Sequence, residues 1–137
     1  MTTMRRIYSF TLIAVGLSAG LLLAQSDSEY QGWMKTIGAT NGSMQKNIAA
    51  KDGAATAADA KKLADTFKEV EGFWEKRGAK DAVDFAKGAH MVAESVEKAA
   101  MAGDMDKAAA DAKTMGRNCG GCHMAHREKT ESGFTIK

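Results

Sequence analysis

The sequence predicts an all-α fold, an antiparallel up-down four-helix bundle. Proline is absent and aromatic residues make up only 7% of the chain, whereas alanine is frequent, and this composition favours helix over sheet. Glycines divide the chain into four segments after its apolar start, and apolar residues recur there every three or four positions. Four amphipathic helices joined by short connections are typical of such a bundle.

Residues 1–24 are predicted to be a secretory signal peptide. Arg5 and Arg6 precede an almost wholly apolar run over residues 7–23, and the small Ala24 follows it. An uncleaved membrane anchor is the alternative, because the run is about as long as the shortest membrane-spanning helices. Cleavage would leave residues 25–137 as one exported domain, periplasmic in a Gram-negative cell and no longer attached to a membrane.

Glycine and capping signals place the ends of the helices. Thr56 and Asp59 resemble a capping box at the start of the second helix, and Gly78 follows its last basic residue. Gly103 and Asp104 end the third helix and cap the fourth. We expect the four helices to cover about residues 27–50, 56–77, 80–102 and 105–129.

The apolar stripes of these helices contain many alanines. The second helix has Ala60, Leu63, Ala64, Phe67, Val70 and Trp74 in its stripe, and the third has Val83, Ala86, Ala89 or His90, Ala93, Val96 and Ala100. The stripe of the fourth helix consists of Met105, Ala108, Ala112, Met115, Cys119 and Cys122. Alanine side chains alone would fill the centre poorly, so a large prosthetic group is expected there.

The charge of the chain gives no reason to expect a nucleic-acid partner. The chain has 19 basic and 17 acidic residues, and removal of residues 1–24 takes away Arg5 and Arg6 but no acid. The mature domain is therefore formally neutral, whereas nucleic-acid-binding domains carry basic patches.

The two cysteines form the motif that carries the chemistry. Cys119-Gly120-Gly121-Cys122-His123 is Cys-x-x-Cys-His, the attachment signature of c-type haem. Each thiol can add to one vinyl group of the haem, and His123 can bind its iron as the proximal ligand. The glycines add no bulk where the backbone passes the porphyrin edge.

Two other chemistries use the same residues. A thiol–disulfide oxidoreductase normally places Cys-x-x-Cys at a helix N-terminus after a strand, but here the pair is late in a helix and no strand is visible. A zinc site would need a fourth ligand besides Cys119, Cys122 and a histidine, and His90 or His126 could supply it.

A haem motif on the last helix of a bundle resembles the class II cytochromes c, the cytochrome c-prime superfamily. The resemblance covers residues 25–137 and is strongest over Cys119–Arg127. It implies that Arg127 lies near a haem propionate or the ring edge, whereas His126 stands where the family has tyrosine and is assigned no role. It also implies redox partner proteins. Family members are often dimers, so a homodimer is one of the states open to this chain, and no patch in the sequence decides it.

The first helix supplies the sixth iron ligand in this resemblance. The run from Tyr30 to Met44 resembles the family's distal segment, and in that register Met34 faces the iron. Gly38 is one turn further along the same face, where a missing side chain would let the porphyrin approach. Met44 is a weaker candidate, and His90 is an alternative that would give bis-histidine iron.

The sixth ligand decides the function. With His123 and Met34 bound, the iron is low-spin and has no open position, which predicts a one-electron carrier rather than an enzyme. Without Met34 the chain would be a five-coordinate cytochrome c-prime that binds small gases such as NO or CO. A third hypothesis is a helical exported thiol protein without haem.

Overall fold

The computed structural model describes residues 16–137, with side chains from Asp27 onward. Residues 1–15 of the expected signal peptide lie outside the described residues, so the signal peptide stays a prediction. Among the described helices, none is both long and apolar enough to cross a membrane.

The protein is mostly helical, as the composition predicts. Its elements in chain order are α1 (Gly16–Ala49), α2 (Gly53–Arg77), α3 (Lys80–Met101), α4 (Met105–Ala112), α5 (Met115–His126), β1 (Arg127–Thr130) and β2 (Gly133–Ile136). The most extensive contact joins α2 to α3, and α1 also packs on α2. Both α4 and α5 pack against α3, whereas α1 and α5 barely touch each other.

The core follows the predicted stripes. The predicted stripe residues of α2 and α3 are buried, with Ala89 buried and its alternative His90 only partly buried. The core also includes Tyr30, Ile37 and Met44 of α1. Helix ends are confirmed at Gly78 and Gly103, which adopt left-handed backbone conformations with φ of 69° and 75°. Such angles favour glycine because it has no Cβ.

Two predicted helix starts are wrong. The first helix does not start near Asp27, because the backbone is already helical at Gly16, the first described residue. The second begins at Gly53, and its cap is Asp52, whose carboxylate accepts a hydrogen bond from the backbone N–H of Ala55 at 3.0 Å. Thr56 is inside the helix and fully buried, so it caps nothing.

The expected fourth helix is two helices followed by a hairpin. Thr114 interrupts it: both its N–H and its hydroxyl donate to the carbonyl of Asp111, at 2.9 and 2.8 Å. This hydrogen bond joins residues three apart, whereas α-helical hydrogen bonds join residues four apart. The regular α-helical pattern is therefore interrupted here, and α4 is separated from α5. After His126 the chain becomes extended, and β1 pairs antiparallel with β2, Lys129 opposite Phe134. The expectation that no strand exists is therefore wrong.

Candidate functional site

A cavity of about 700 Å³ lies between α1 and α5. Its other walls come from α2, α3 and the hairpin of β1 and β2. The volume is within the range of about 300–1,000 Å³ that is usual for pockets that bind small molecules and cofactors. Because α1 and α5 barely touch, the cavity takes the place of a direct contact between these helices.

All six residues selected from the sequence line this cavity. Helix α5 contributes Cys119, Cys122 and His123, the start of β1 contributes Arg127, and α1 contributes Met34 and Gly38. The two groups are about 80 residues apart in the chain, so only the packing of the helices brings them to one space.

Cys119 and Cys122 are free thiols one turn apart on α5, partly buried and packed against the core. Burial raises the pKa of both thiols, and the pKa of Cys122 rises to about 11 through burial, the carboxylate of Asp81 and the neighbouring Cys119. Both thiols are therefore protonated at neutral pH. Redox-active Cys-x-x-Cys pairs instead have a thiol with a lowered pKa, which this pair lacks.

His123 is suited to bind a metal through a neutral ring. Loss of hydration lowers the pKa of His123, and the positive charge of Arg127 lowers it further. The imidazole is therefore neutral at pH 7 and has a free lone pair on one nitrogen. The geometry thus supplies the kind of donor that haem iron takes as a proximal ligand.

Gly38 leaves an opening in the α1 wall. A Cβ built on Gly38 would have no atom of another residue within 4 Å, so nothing in the protein itself requires glycine at this mid-helix position. Met34, one turn earlier on the same wall, is partly buried and packs against the core. The α1 wall thus combines a thioether donor with a flat, open stretch of helix, which fits a planar ring beside it.

The glycines of the motif have different surroundings. A Cβ on Gly121 would lie 2.4 Å from Cε1 of Phe85, whereas one on Gly120 would meet nothing within 4 Å. Gly121 is therefore explained by close packing of α5 on α3. The explanation inferred from the sequence, that glycine lets the backbone pass close to a porphyrin edge, is not required to account for Gly121.

The alternative ligands lie elsewhere. His90 does not line the cavity, and its Nδ1 is 2.9 Å from a carboxylate oxygen of Glu71. Met44 is fully buried in the core and also does not line the cavity. Within residues 27–137, no three His, Cys, Asp or Glu side chains are grouped as a metal site would need, so the zinc interpretation gains no support.

Some cavity residues were missed from the sequence. His126 lines the cavity, and its Nε2 is 2.8 Å from Asp81 Oδ2, which ties the end of α5 to the start of α3. Asn41 on α1 also lines it, and its buried Oδ1 has no hydrogen-bond partner in the protein. The hairpin residues 132–136 form a further wall, and the alternation of Phe134 and Ile136 next to a glycine was the available signal.

The residues present fit a haem attached to α5 and facing α1. The cavity has an apolar wall that includes Phe67, Val70 and Phe85, as a porphyrin requires, and Arg127 supplies a cation at its edge. Comparisons of the chain with protein-family models, with curated proteins and with solved structures found no match.

Proposed function

We propose that this chain is a monohaem c-type cytochrome of the class II kind, a one-electron carrier and not an enzyme. In this proposal the helices form an up-down bundle that encloses the haem, and residues 1–24 direct export, to the periplasm in a Gram-negative cell. The observation that carries the proposal is the shared cavity. Six residues selected from the sequence for haem attachment, ligation and approach line one space of suitable volume.

Each residue has a role in this proposal. Cys119 and Cys122 form thioethers that fix the haem to α5, and His123 binds the iron from the same helix. Met34 binds it from α1, and Gly38 leaves room for the ring. Arg127 lies close to a haem carboxylate or the ring edge, where its charge has no competing ion pair among the described residues.

The bound haem would supply one-electron chemistry by cycling between Fe(III) and Fe(II). The protein's part would be to hold the side chains of His123 and Met34 in place on α5 and α1, so that they would move little when the haem changes its redox state. Methionine ligation raises the reduction potential relative to two histidines, and the apolar walls around Phe67 and Phe85 exclude water. If His123 and Met34 both held the iron, the protein would leave no site for a substrate on the metal.

Protonated thiols argue against the thiol oxidoreductase hypothesis. A disulfide-exchange enzyme needs a thiolate at neutral pH, but burial raises the pKa of Cys119 and Cys122. The motif is also preceded by α4 rather than by a strand, since both strands follow it. A covalently attached, non-titrating role for the sulfurs is consistent with these surroundings.

The first experiment is expression of the full chain together with haem-maturation machinery. Mass analysis of the peptide that contains Cys119 and Cys122 should show one added haem. The ferric and ferrous spectra should be six-coordinate and low-spin, without a response to carbon monoxide. Colourless protein with free thiols would refute the cytochrome proposal, and a five-coordinate spectrum that responds to carbon monoxide would favour the gas-binding alternative.

Substitution of the sixth ligand tests the role of α1. Met34→Ala should give high-spin iron that binds carbon monoxide, because the position opposite His123 becomes free. Met91→Ala is the matched control, since Met91 is 68% exposed and does not line the cavity, and its spectrum should equal that of the wild type. An unchanged spectrum in Met34→Ala would remove Met34 from the site.

A further inference from the structure

The outer face of α5 combines exposed apolar side chains with positive charge. Met124 is 82% exposed and Phe134 is 51% exposed, and these are two of the four large apolar side chains exposed among residues 27–137. Both line a shallow groove of about 400 Å³, together with Gly120, His123, Arg127 and Lys129. We call this groove and the adjoining Arg117 the α5 surface.

The charges of the α5 surface have one sign. Arg117, Gly120 and Met124 follow one another at steps of three and four, which places them on one face of the helix. Arg127 is the first residue of β1 and lines the groove beside Gly120 and Met124. Helix α5 contains no acidic residue. Glu128 alternates with Arg127 and Lys129 along β1, so it lies on the opposite face of the hairpin, and Glu131 is in the turn beyond it.

The α5 surface adjoins the cavity, because His123, Arg127 and Phe134 line both the groove and the cavity. A partner seated on the groove would therefore be separated from the interior of the cavity by these three side chains. Exposed apolar groups surrounded by charge are typical of protein interaction sites.

We propose that the α5 surface is the docking site for an acidic redox protein, one that presents carboxylates around an apolar centre. The proposal rests on the proposed function, since it is the iron bound to His123 that gives or takes the electron. A second copy of this chain fits the surface less well, because a two-fold contact would bring Arg117, Arg127 and Lys129 close to their own copies. Opposite charge on the partner also increases the rate of encounter.

Small anions test the surface without the partner in hand. In the reaction, the ferrous protein gives one electron to hexacyanoferrate(III), which becomes hexacyanoferrate(II). At low ionic strength Lys129→Glu should slow this reaction about five-fold. The substitution makes the surface more negative by two charges, and this weakens the attraction of a trianion that lies about one Debye length away. Lys62→Glu is the matched control: Lys62 is exposed on α2, outside both the groove and the cavity, and its variant should react at the wild-type rate.

A second readout does not depend on electron transfer. The paramagnetic, redox-inert hexacyanochromate(III) should broaden the backbone amide signals of Met124, Lys129 and Phe134 in the wild type and in Lys62→Glu, but not in Lys129→Glu. Equal effects of the two lysine variants, or broadening spread over all exposed lysines, would overturn the docking proposal. So would a dimer that Met124→Asp dissociates. Absence of haem would instead refute the proposed function, and the broadening experiment still reports on the surface in that case.

Discussion

The open wall at Gly38 allows a direct test of whether a ring lies against α1. Glycine inside a helix costs about 1 kcal/mol relative to alanine, so Gly→Ala in open space should stabilise the protein by about that amount. Gly38 and Gly42 lie one turn apart on α1, and a Cβ on either would meet nothing within 4 Å. Only Gly38 lines the cavity, which makes Gly42 the matched control.

The two alanine variants should differ once haem is attached. Gly42→Ala should raise the free energy of unfolding by about 1 kcal/mol, which corresponds to roughly 4 °C in Tm for a domain of this size. In Gly38→Ala the new methyl group would press on the ring, and overpacking of this kind costs about 1–3 kcal/mol, which cancels or exceeds the gain. Denaturant unfolding followed by the haem absorbance measures both. If Gly38→Ala is stabilised as much as Gly42→Ala and its spectrum is unchanged, no ring lies beside Gly38.

Three further predictions follow from contacts elsewhere in the structure. Thr56→Val should raise the free energy of unfolding by about 1 kcal/mol in urea titrations, because the fully buried Thr56 hydroxyl has no hydrogen-bond partner; a loss of stability would show that it has one. The hydrogen bond to His126 lowers the pKa of Asp81 in the folded protein. The Asp81–His126 contact therefore contributes fully to stability above the ordinary aspartate pKa, and this contribution is lost as the pH falls through the lower pKa of the folded protein. Between pH 6 and about pH 2, the free energy of unfolding should therefore depend less on pH in Asp81→Asn than in the wild type. Equal pH dependence of the two proteins would contradict this. Removal of residues 131–137 takes away the hairpin wall of the cavity. In the Met34→Ala background, carbon monoxide should therefore bind the truncated ferrous protein faster than the ferrous protein of full length. Equal rates would show that the hairpin does not limit access.

The helices could be predicted because their signals are local. The stripe from Ala60 to Trp74 repeats every three or four residues, and it is buried as the periodicity requires. Gly78 and Gly103 end their helices because a residue without a Cβ adopts a left-handed backbone most easily. These features depend only on residues within about one helical turn along the chain, so they can be recognised from the sequence alone.

Errors arose where two local signals competed. Asp52 and Thr56 both precede apolar residues of α2, and either type can cap a helix. Burial of Thr56 in the core decided in favour of Asp52. At Thr114 the apolar stripe continues without a gap, so no local pattern indicates that the hydrogen bond from the Thr114 hydroxyl to the carbonyl of Asp111 divides the helix.

The sequence by itself determined a helical chain and the cluster of two thiols and an imidazole, because both are patterns within a few adjacent residues. It also directed attention to Met34 and Gly38 through a resemblance, but it did not place them near Cys119. Only the tertiary structure decided that α1 and α5 face one cavity, that Phe85 occupies the space beside Gly121, and that the hairpin closes one side. These contacts join residues up to about 100 positions apart, such as Gln31 and Phe134, and depend on how whole helices pack rather than on any local pattern.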